Sequence, residues 1–409
     1  MPRLIFVNRF FFPDHSATSQ ILSDLAFHLA GQGRDVHVVT SGQAYENPEA
    51  ALPDHEIIND VYVHRVASTQ FGRGALLGRA VDYLSFYRSV RRRLAELARR
   101  GDVVIAKTDP PLLSVALMGP AHRNNAKLIN WLQDIYPETA AALAVPLIRG
   151  PVGASLASLR NRSLRQAAAT VVLGESMARR VVRLGAPAES VHVIPNWSHD
   201  EDIRPLAADE NPLRQEWNLA GKFILGYSGN LGRAHDFGTV LAAAERLRDD
   251  ARHVFLMIGG GQRFEELAAA VKQRRLDRAF RFMPYQDQSK LRYSLSLPDA
   301  HWLSLNPQLE GLLLPSKFYG IAAAGRPTIY IGDANGEVAR LLRQHGCGIA
   351  IAPGDAEALV NTVQQWSSQP AIMAEMGANA RAMLEARYSR EQGLTRWRLL
   401  LDKITQSSE

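Results

Sequence analysis

Apolar runs of strand length alternate with helically spaced stretches, and this alternation restarts near residue 200. In the first half, strands are expected at residues 3–8, 36–39, 61–66, 103–107, 128–132, 170–173 and 191–194. Helices are expected at 19–30 and 83–99. In the second half, strands at 223–227, 254–258, 300–305 and 328–331 alternate with helices at 239–248, 264–273 and 316–324. Strands separated by helices pair in parallel, because each crossover brings the chain back to the same sheet edge. The expectation is therefore an α/β protein of two Rossmann-like, doubly wound domains facing a cleft. The boundaries drawn are 1–196 and 197–386, with 387–409 a C-terminal helix packing back on the N-terminal domain.

Composition excludes several classes. Apolar residues make up 46% and charged residues 22% of 409, an ordinary globular balance. Cys347 is the single cysteine, so no disulfide forms within the chain. The first apolar run ends at Asn8-Arg9, too short for a signal peptide. No stretch reaches the ~18 apolar residues of a spanning helix. A cytoplasmic protein is expected. Net charge is +6, with eight arginines in residues 71–100 and seven in 149–183. Such faces are either solvated helix surfaces or a platform for anionic headgroups. Leu143-Ala144-Val145-Pro146-Leu147-Ile148-Arg149 is an apolar–basic junction of the same kind. No nucleic-acid-binding pattern accompanies the charge.

Candidate chemistry lies where strands end. Gly229, Asn230, Arg233 and His235 follow one strand in a glycine-containing loop, where backbone N–H groups and a guanidinium can meet phosphate. Gly260 sits in a triple glycine after the next strand. Met283 and Tyr285 offer backbone and a ring to a base. Glu310, Gly311, Leu312 and Leu313 precede Ser316 and Lys317 at a helix start, where free N–H groups and a lysine suit a diphosphate. Ser316 is expected to cap that helix with its side chain. Each element also has a plain reading as a βα turn.

In the first half, Gln133 and Asp134 follow an apolar strand in Trp131-Leu132-Gln133-Asp134-Ile135-Tyr136-Pro137-Glu138. A carboxylate there either caps the next helix or meets a ligand. Asp14, His15 and Ser16 follow the first strand and open a helix. Asp200-Glu201-Asp202 matches a metal-binding Asp-x-Asp only superficially, lying in a linker with no strand before it. No metal and no cofactor are expected, and no Ser/His/Asp or Cys/His arrangement suggests a hydrolase.

Taken in order, these segments resemble family-4 retaining glycosyltransferases of the GT-B fold. Val191-His192-Val193-Ile194-Pro195-Asn196-Trp197 is similar to the family's "VIPNG" segment and Tyr227-Ser228-Gly229-Asn230-Leu231 to its "YVGRL". Met257-Ile258-Gly259-Gly260-Gly261, Pro353-Gly354-Asp355 and Tyr388-Ser389-Arg390-Glu391 resemble later motifs. The "WLQDIYPE" and Pro315-Ser316-Lys317-Phe318-Tyr319-Gly320 segments resemble a bacterial branch that builds O-antigen, capsule, colanic acid and other exopolysaccharides. The resemblance implies transfer, with retention, from a nucleotide-diphosphate sugar (UDP first) to a lipid-linked saccharide on the anionic inner face of the cell membrane. The catalytic candidates are Glu310 and Asp134, with Lys317 and Arg233 meeting the diphosphate charge in place of the family's Arg and Lys; Asp14, His15, Ser16 and Gln133 are the acceptor-side candidates. Donor contacts fall to Gly229, Asn230, His235, Gly260, Met283, Tyr285, Gly311–Leu313 and Ser316. The chain departs from the family at Asn230 (usually Arg), at His235 (usually Lys) and at Gly320, where a second glutamate is usual. A sugar-nucleotide epimerase of the same fold and a non-catalytic sugar-nucleotide-binding protein are the alternatives.

Overall fold

The computed structural model describes residues 2–14, 16–43, 52–71, 76–146, 148, 150–198 and 200–406. Among the expected site residues, His15 lies outside these, as do Leu147 and Arg149 of the apolar–basic junction. Packing divides the chain into two units. Residues up to Pro195 associate with those from Leu394 onward, and Asn196–Gly393 form the second unit.

The first unit is built on strands β1 (Leu4–Val7), β2 (Val36–Ser41), β3 (His55–Ile58), β4 (Val61–Val66), β5 (Val103–Lys107), β6 (Lys127–Trp131), β7 (Ala169–Val172) and β8 (Val191–Val193). They lie in the order β3-β4-β2-β1-β5-β6-β7-β8. All neighbours are parallel except β3, which runs antiparallel to β4. The central strands read as unbroken apolar runs because helices cover both faces of a parallel sheet. Ile5, Val7, Val39 and Val104 meet Phe86, Val90 and Leu94 from the helix Leu76–Leu97, and Leu113 and Leu117 from Leu113–Arg123. Burial of each such side chain contributes roughly 1.5–3 kcal/mol. Trp397 packs on Trp131 with ring centroids 4.6 Å apart. Asp402 pairs with Arg34 at 2.6 Å, and Lys127 donates to the Ile404 carbonyl.

The second unit holds β9 (Phe223–Asn230), β10 (His253–Gly260), β11 (Phe280–Met283), β12 (Ala300–Ser304), β13 (Thr328–Ile331) and β14 (Gly348–Ile351). Their order is β11-β10-β9-β12-β13-β14, all parallel. Tyr227, Met257, Trp302 and Ile329 fill its core against Val240, Leu359 and Trp366.

Both sheets reverse direction once. In the first unit the chain starts at β1, adds β2 and β4 on one side, and returns to place β5 on the other. In the second it starts at β9, adds β10 and β11, and returns with β12. Connections leave such a switch point in opposite directions, which opens a crevice at the carboxyl ends of the two central strands.

Candidate functional site

In the second unit the crevice falls between β9 and β12, and the loops after those strands are stitched together across it. His235 donates from Nδ1 to the Ser304 carbonyl at 2.6 Å. The Asp236 N–H donates to Ser304 Oγ at 3.0 Å, and the Asn306 N–H to the Ala234 carbonyl at 2.9 Å. Lys317 enters from the first turn of the helix Lys317–Ala323. Its Nζ stands 3.4 Å from His235 Nε2 and 5.4 Å from the centre of the Tyr227 ring. Its stem lies along Gly229: a Cβ there would fall 2.8 Å from Lys317 Cε, and the φ of +114° would strain any other residue. Burial holds the Lys317 ammonium down to about 8. The same cause, with Lys317 itself the next largest, holds His235 at about 4. The crevice thus contains one partly buried cation beside a neutral imidazole. A cation of this kind attracts an anion strongly, because little water screens it.

The glycine-lined side continues along β10 and β11. A Cβ on Gly259, at φ +132°, would fall 2.4 Å from the Gly229 carbonyl oxygen, so the two strand ends approach backbone to backbone. The Tyr285 ring lies over Gly260, 3.0 Å from where a Cβ would be, yet the side chain is 58% exposed. A flat ring held on backbone with an open face suits stacking by a base. Met283 ends β11 beside it in sequence, partly buried. Asn230 ends β9 and Arg233 lies in the loop after it, both exposed.

On the other side of β12 stands Glu310. Its Oε1 accepts from the Glu337 N–H at 2.8 Å, the first residue of the helix Glu337–His345. A Cβ on Gly336 would fall 2.5 Å from Glu310 Oε2. Glu310 is therefore fixed at a helix N-terminus, where the backbone dipole favours an anion. Burial, foremost, raises its pKa above the ordinary carboxylate value.

Two expectations need correction here. Ser316 does not cap with its side chain, because its backbone is already helical (φ −63°, ψ −22°), and capping geometry needs an extended residue. Of the backbone donors expected from Gly311 to Leu313, the Leu312 N–H is taken by the Leu309 carbonyl at 2.9 Å, and the Gly311 N–H turns to the Glu310 carboxylate. The loop's tight turn consumes these two donors internally. Sequence reasoning missed Ser304, Tyr227, Arg263 and Glu337. Each acts through a neighbour that only strand order brings near.

In the first unit, Gln133 and Asp134 follow β6 and lean on the loop after β5. Thr108 Oγ1 accepts from the Gln133 N–H at 2.7 Å and bonds the Asp134 carboxyl. Burial, then the charge of Asp109, raises Asp134 to about 6. Asp134, Thr108, Tyr136 and Arg160 line a small cavity with Leu112, whose φ of +62° is left-handed and strained for a leucine. Asp134 does not cap the helix Glu138–Ala142, which has no side-chain cap. Lys107 also lines this cavity, with its ammonium donating to the Thr18 carbonyl at 2.7 Å and lying 4.0 Å over the Trp131 ring. Asp14 is buried and accepts from the Ser16 N–H at 2.8 Å, which fixes the start of the helix Ala17–Gly31. The Asp200 carboxyl accepts from the Arg390 N–H, and no group of metal-binding side chains occurs among the described residues.

Two doubly wound sheets, the second with a glycine-lined, cation-bearing crevice at its switch point, define a nucleotide-handling α/β protein. Residues 17–197 match the family described as "Glycosyl transferase 4-like domain", and residues 209–383 match "Glycosyl transferases group 1". The chain belongs to the family-4 glycosyltransferases of the GT-B fold. It is 25% identical to a probable glycosyltransferase, WbjE, of Pseudomonas aeruginosa, over 76% of each chain. It is also 25% identical to a putative colanic acid biosynthesis glycosyl transferase, WcaI, of Escherichia coli, over 86% of this chain and 89% of that one. Anabaena HepE, solved in complex with UDP-glucose, shares the fold at a TM-score of 0.73 and 15% identity, over 99% of this chain and all of that one.

Proposed function

We propose that this glycosyltransferase moves a hexosyl or N-acetylhexosaminyl group, with retained configuration, from a UDP-sugar to a lipid-linked saccharide in bacterial surface polysaccharide synthesis. Residues 1–196 take the acceptor-binding role, 197–386 the donor role, and 387–409 belong with the first. The observation that carries the reading is the Lys317 ammonium, held beside the glycine backbone of β9 at the switch point. Departure of a nucleoside diphosphate puts negative charge on its oxygens, and a pre-placed cation stabilises that charge without reorganising. Lys317 does this at closest quarters, with Arg233 from the exposed loop. Tyr285, Gly260 and Met283 hold the base, Gly229 and Asn230 the phosphates, and Glu310 the sugar hydroxyls. Asp134, with Gln133, Asp14 and Ser16, receives the acceptor hydroxyl. The colanic acid role in the WcaI relative's description and the UDP-glucose bound to HepE support polysaccharide and uridine.

The test is transfer from UDP-, GDP- and ADP-sugars to extracted lipid-linked saccharides, with product anomeric configuration read by NMR. Acceptor-dependent transfer from a UDP-sugar with retention is expected. Change of the sugar nucleotide without acceptor would instead indicate an epimerase, and no turnover at all a binding protein.

The acceptor's lipid places the enzyme at an anionic membrane surface. No helix among the described residues is long and apolar enough to cross a membrane. The helix Leu76–Leu97 supports attachment from outside. Phe86, Val90 and Leu94 face the core, while Leu77 (76% exposed) and Leu84 (65%) face solvent with Ala80 and Val81. The same outer stripe runs on into Arg88, Arg91 and Arg92. Apolar side chains followed by arginines match acyl boundary and headgroup. Burying one leucine contributes roughly 1.5–3 kcal/mol. Replacing Leu77 and Leu84 together by glutamate is expected to weaken binding to phosphatidylglycerol-containing vesicles at least ~10²-fold, while transfer to a soluble acceptor persists. Vesicle binding equal to that of the unaltered protein would remove the helix from the attachment.

A further inference from the structure

We infer that His235 is a positioning residue, a neutral imidazole whose tautomer the Ser304 carbonyl fixes so that Nε2 holds the Lys317 ammonium in the crevice. This rests on the preceding reading of Lys317. The logic is one of donors and acceptors. A carbonyl only accepts, so the 2.6 Å bond to Ser304 puts the proton on His235 Nδ1. Nε2 is left with a lone pair, and an ammonium, which only donates, stands 3.4 Å from it. The groups around His235 keep it uncharged. Lys317 is in front of it, Arg263 donates to its backbone carbonyl, and Tyr227 presents a ring edge at 6.0 Å. The neighbouring Asp236 carboxylate points back toward Gly238.

An imidazole is suited to this place where other polar groups are not. A carboxylate would pair with the ammonium and cancel the field offered to a diphosphate. A second cation would push Lys317 away. A neutral acceptor fixes the direction of the lysine and leaves its full charge for the ligand. Position 235 is also close enough to Lys317 Nζ that a lysine placed there would bring its own ammonium to the same crevice.

The experiment uses the full chain and whichever of UDP, GDP and ADP binds it tightest, with affinity measured by calorimetry from pH 6 to 9.5. His235→Asn keeps a donor for Ser304 and removes the acceptor at the Nε2 position. His235→Gln restores an amide oxygen near that position. We expect about 10-fold weaker binding in His235→Asn, with the alkaline fall in affinity moved to lower pH, because the ammonium has lost a group that favours its charged form. His235→Gln is expected to recover most of the loss. Adding His235→Lys to Lys317→Met is expected to regain about 10-fold over Lys317→Met alone. Unchanged affinity and pH profile in His235→Asn, equal losses in the Asn and Gln variants, or no rescue by the relocated lysine would each overturn the inference. Should Lys317→Met itself bind the nucleotide normally, the donor-site reading fails before this one. Circular dichroism at each pH confirms that the variants compared are folded.

Discussion

Lys317→Met is expected to lower turnover by about 10²-fold, the loss typical when one preorganised stabiliser of developing negative charge is removed. Methionine keeps an apolar stem beside Gly229 and removes only the charge. The pH dependence provides an independent check. The unaltered lysine titrates near 8, so it is charged below that value and neutral above it. Diphosphate affinity in the unaltered protein should therefore fall as pH rises through about 8, shifted upward once a bound anion favours the charged form. The variant should show no such fall. Stability should move the other way. A lysine whose folded pKa lies below 10.5 loses stability as pH falls through about 8, so at pH 7 the protein carries a charge that burial disfavours. Removing it should stabilise the fold by an amount of the order of 2 kcal/mol, allowing for residual solvent around a side chain only partly buried. A variant that is less active but more stable is the mark of a group kept for function at a cost to folding. Turnover within 3-fold of the unaltered protein, with the alkaline fall intact, would sink the assignment.

How far the sequence could be read depended on whether a feature was local. Residues 103–107 and 328–331 appear as β5 and β13 with the expected bounds, because an apolar run in a parallel sheet is buried on both faces wherever the strand sits. Residues 61–66 appear as β4, where buried Val61, Val63 and Arg65 alternate with more exposed neighbours. β3 (His55–Ile58) was not expected. It lies at the sheet edge with alternating exposure, and its sequence, His-Glu-Ile-Ile, carries no such run. The helix Leu76–Leu97 starts seven residues before the expected position 83, since its first turns turn Leu77, Val81 and Leu84 outward and so break the inward spacing. The candidate site follows the same rule. Glycines and polar residues just after strands could be picked out, because the carboxyl ends of a parallel sheet are where ligands bind. Their partners could not. Ser304 bonds His235 only because β12 lies beside β9, though 69 residues separate the pair. Glu310 meets the Glu337 N–H only because β13 lies next to β12. Local spacing encodes neither adjacency.

Asp134→Asn should show the same opposition between activity and stability in the first unit, with the pH signs reversed. Burial and the charge of Asp109 raise Asp134 to about 6, against the partial relief of its bond to Thr108. A carboxyl raised above 3.8 contributes stability below 3.8 and loses it as pH rises through about 6. At pH 7.5 the unaltered protein thus holds an ionised group that its surroundings disfavour. Asparagine keeps the shape and carries no charge. It should raise stability by the order of 2 kcal/mol at pH 7.5 and by nearly nothing at pH 4, measured by denaturant unfolding at both. A carboxylate that takes a hydrogen bond from the acceptor hydroxyl must be ionised to work. Transfer by the unaltered enzyme should therefore fall as pH drops through about 6, and Asp134→Asn should lose about 10²-fold at pH 7.5, the scale of a positioned base. The loss should appear in transfer, while nucleoside-diphosphate affinity, set in the other unit at Lys317, stays unchanged. Stability equal to the unaltered protein at pH 7.5, together with a surviving acid limb near 6, would show that another group titrates there and that Asp134 only supports the loop after β6.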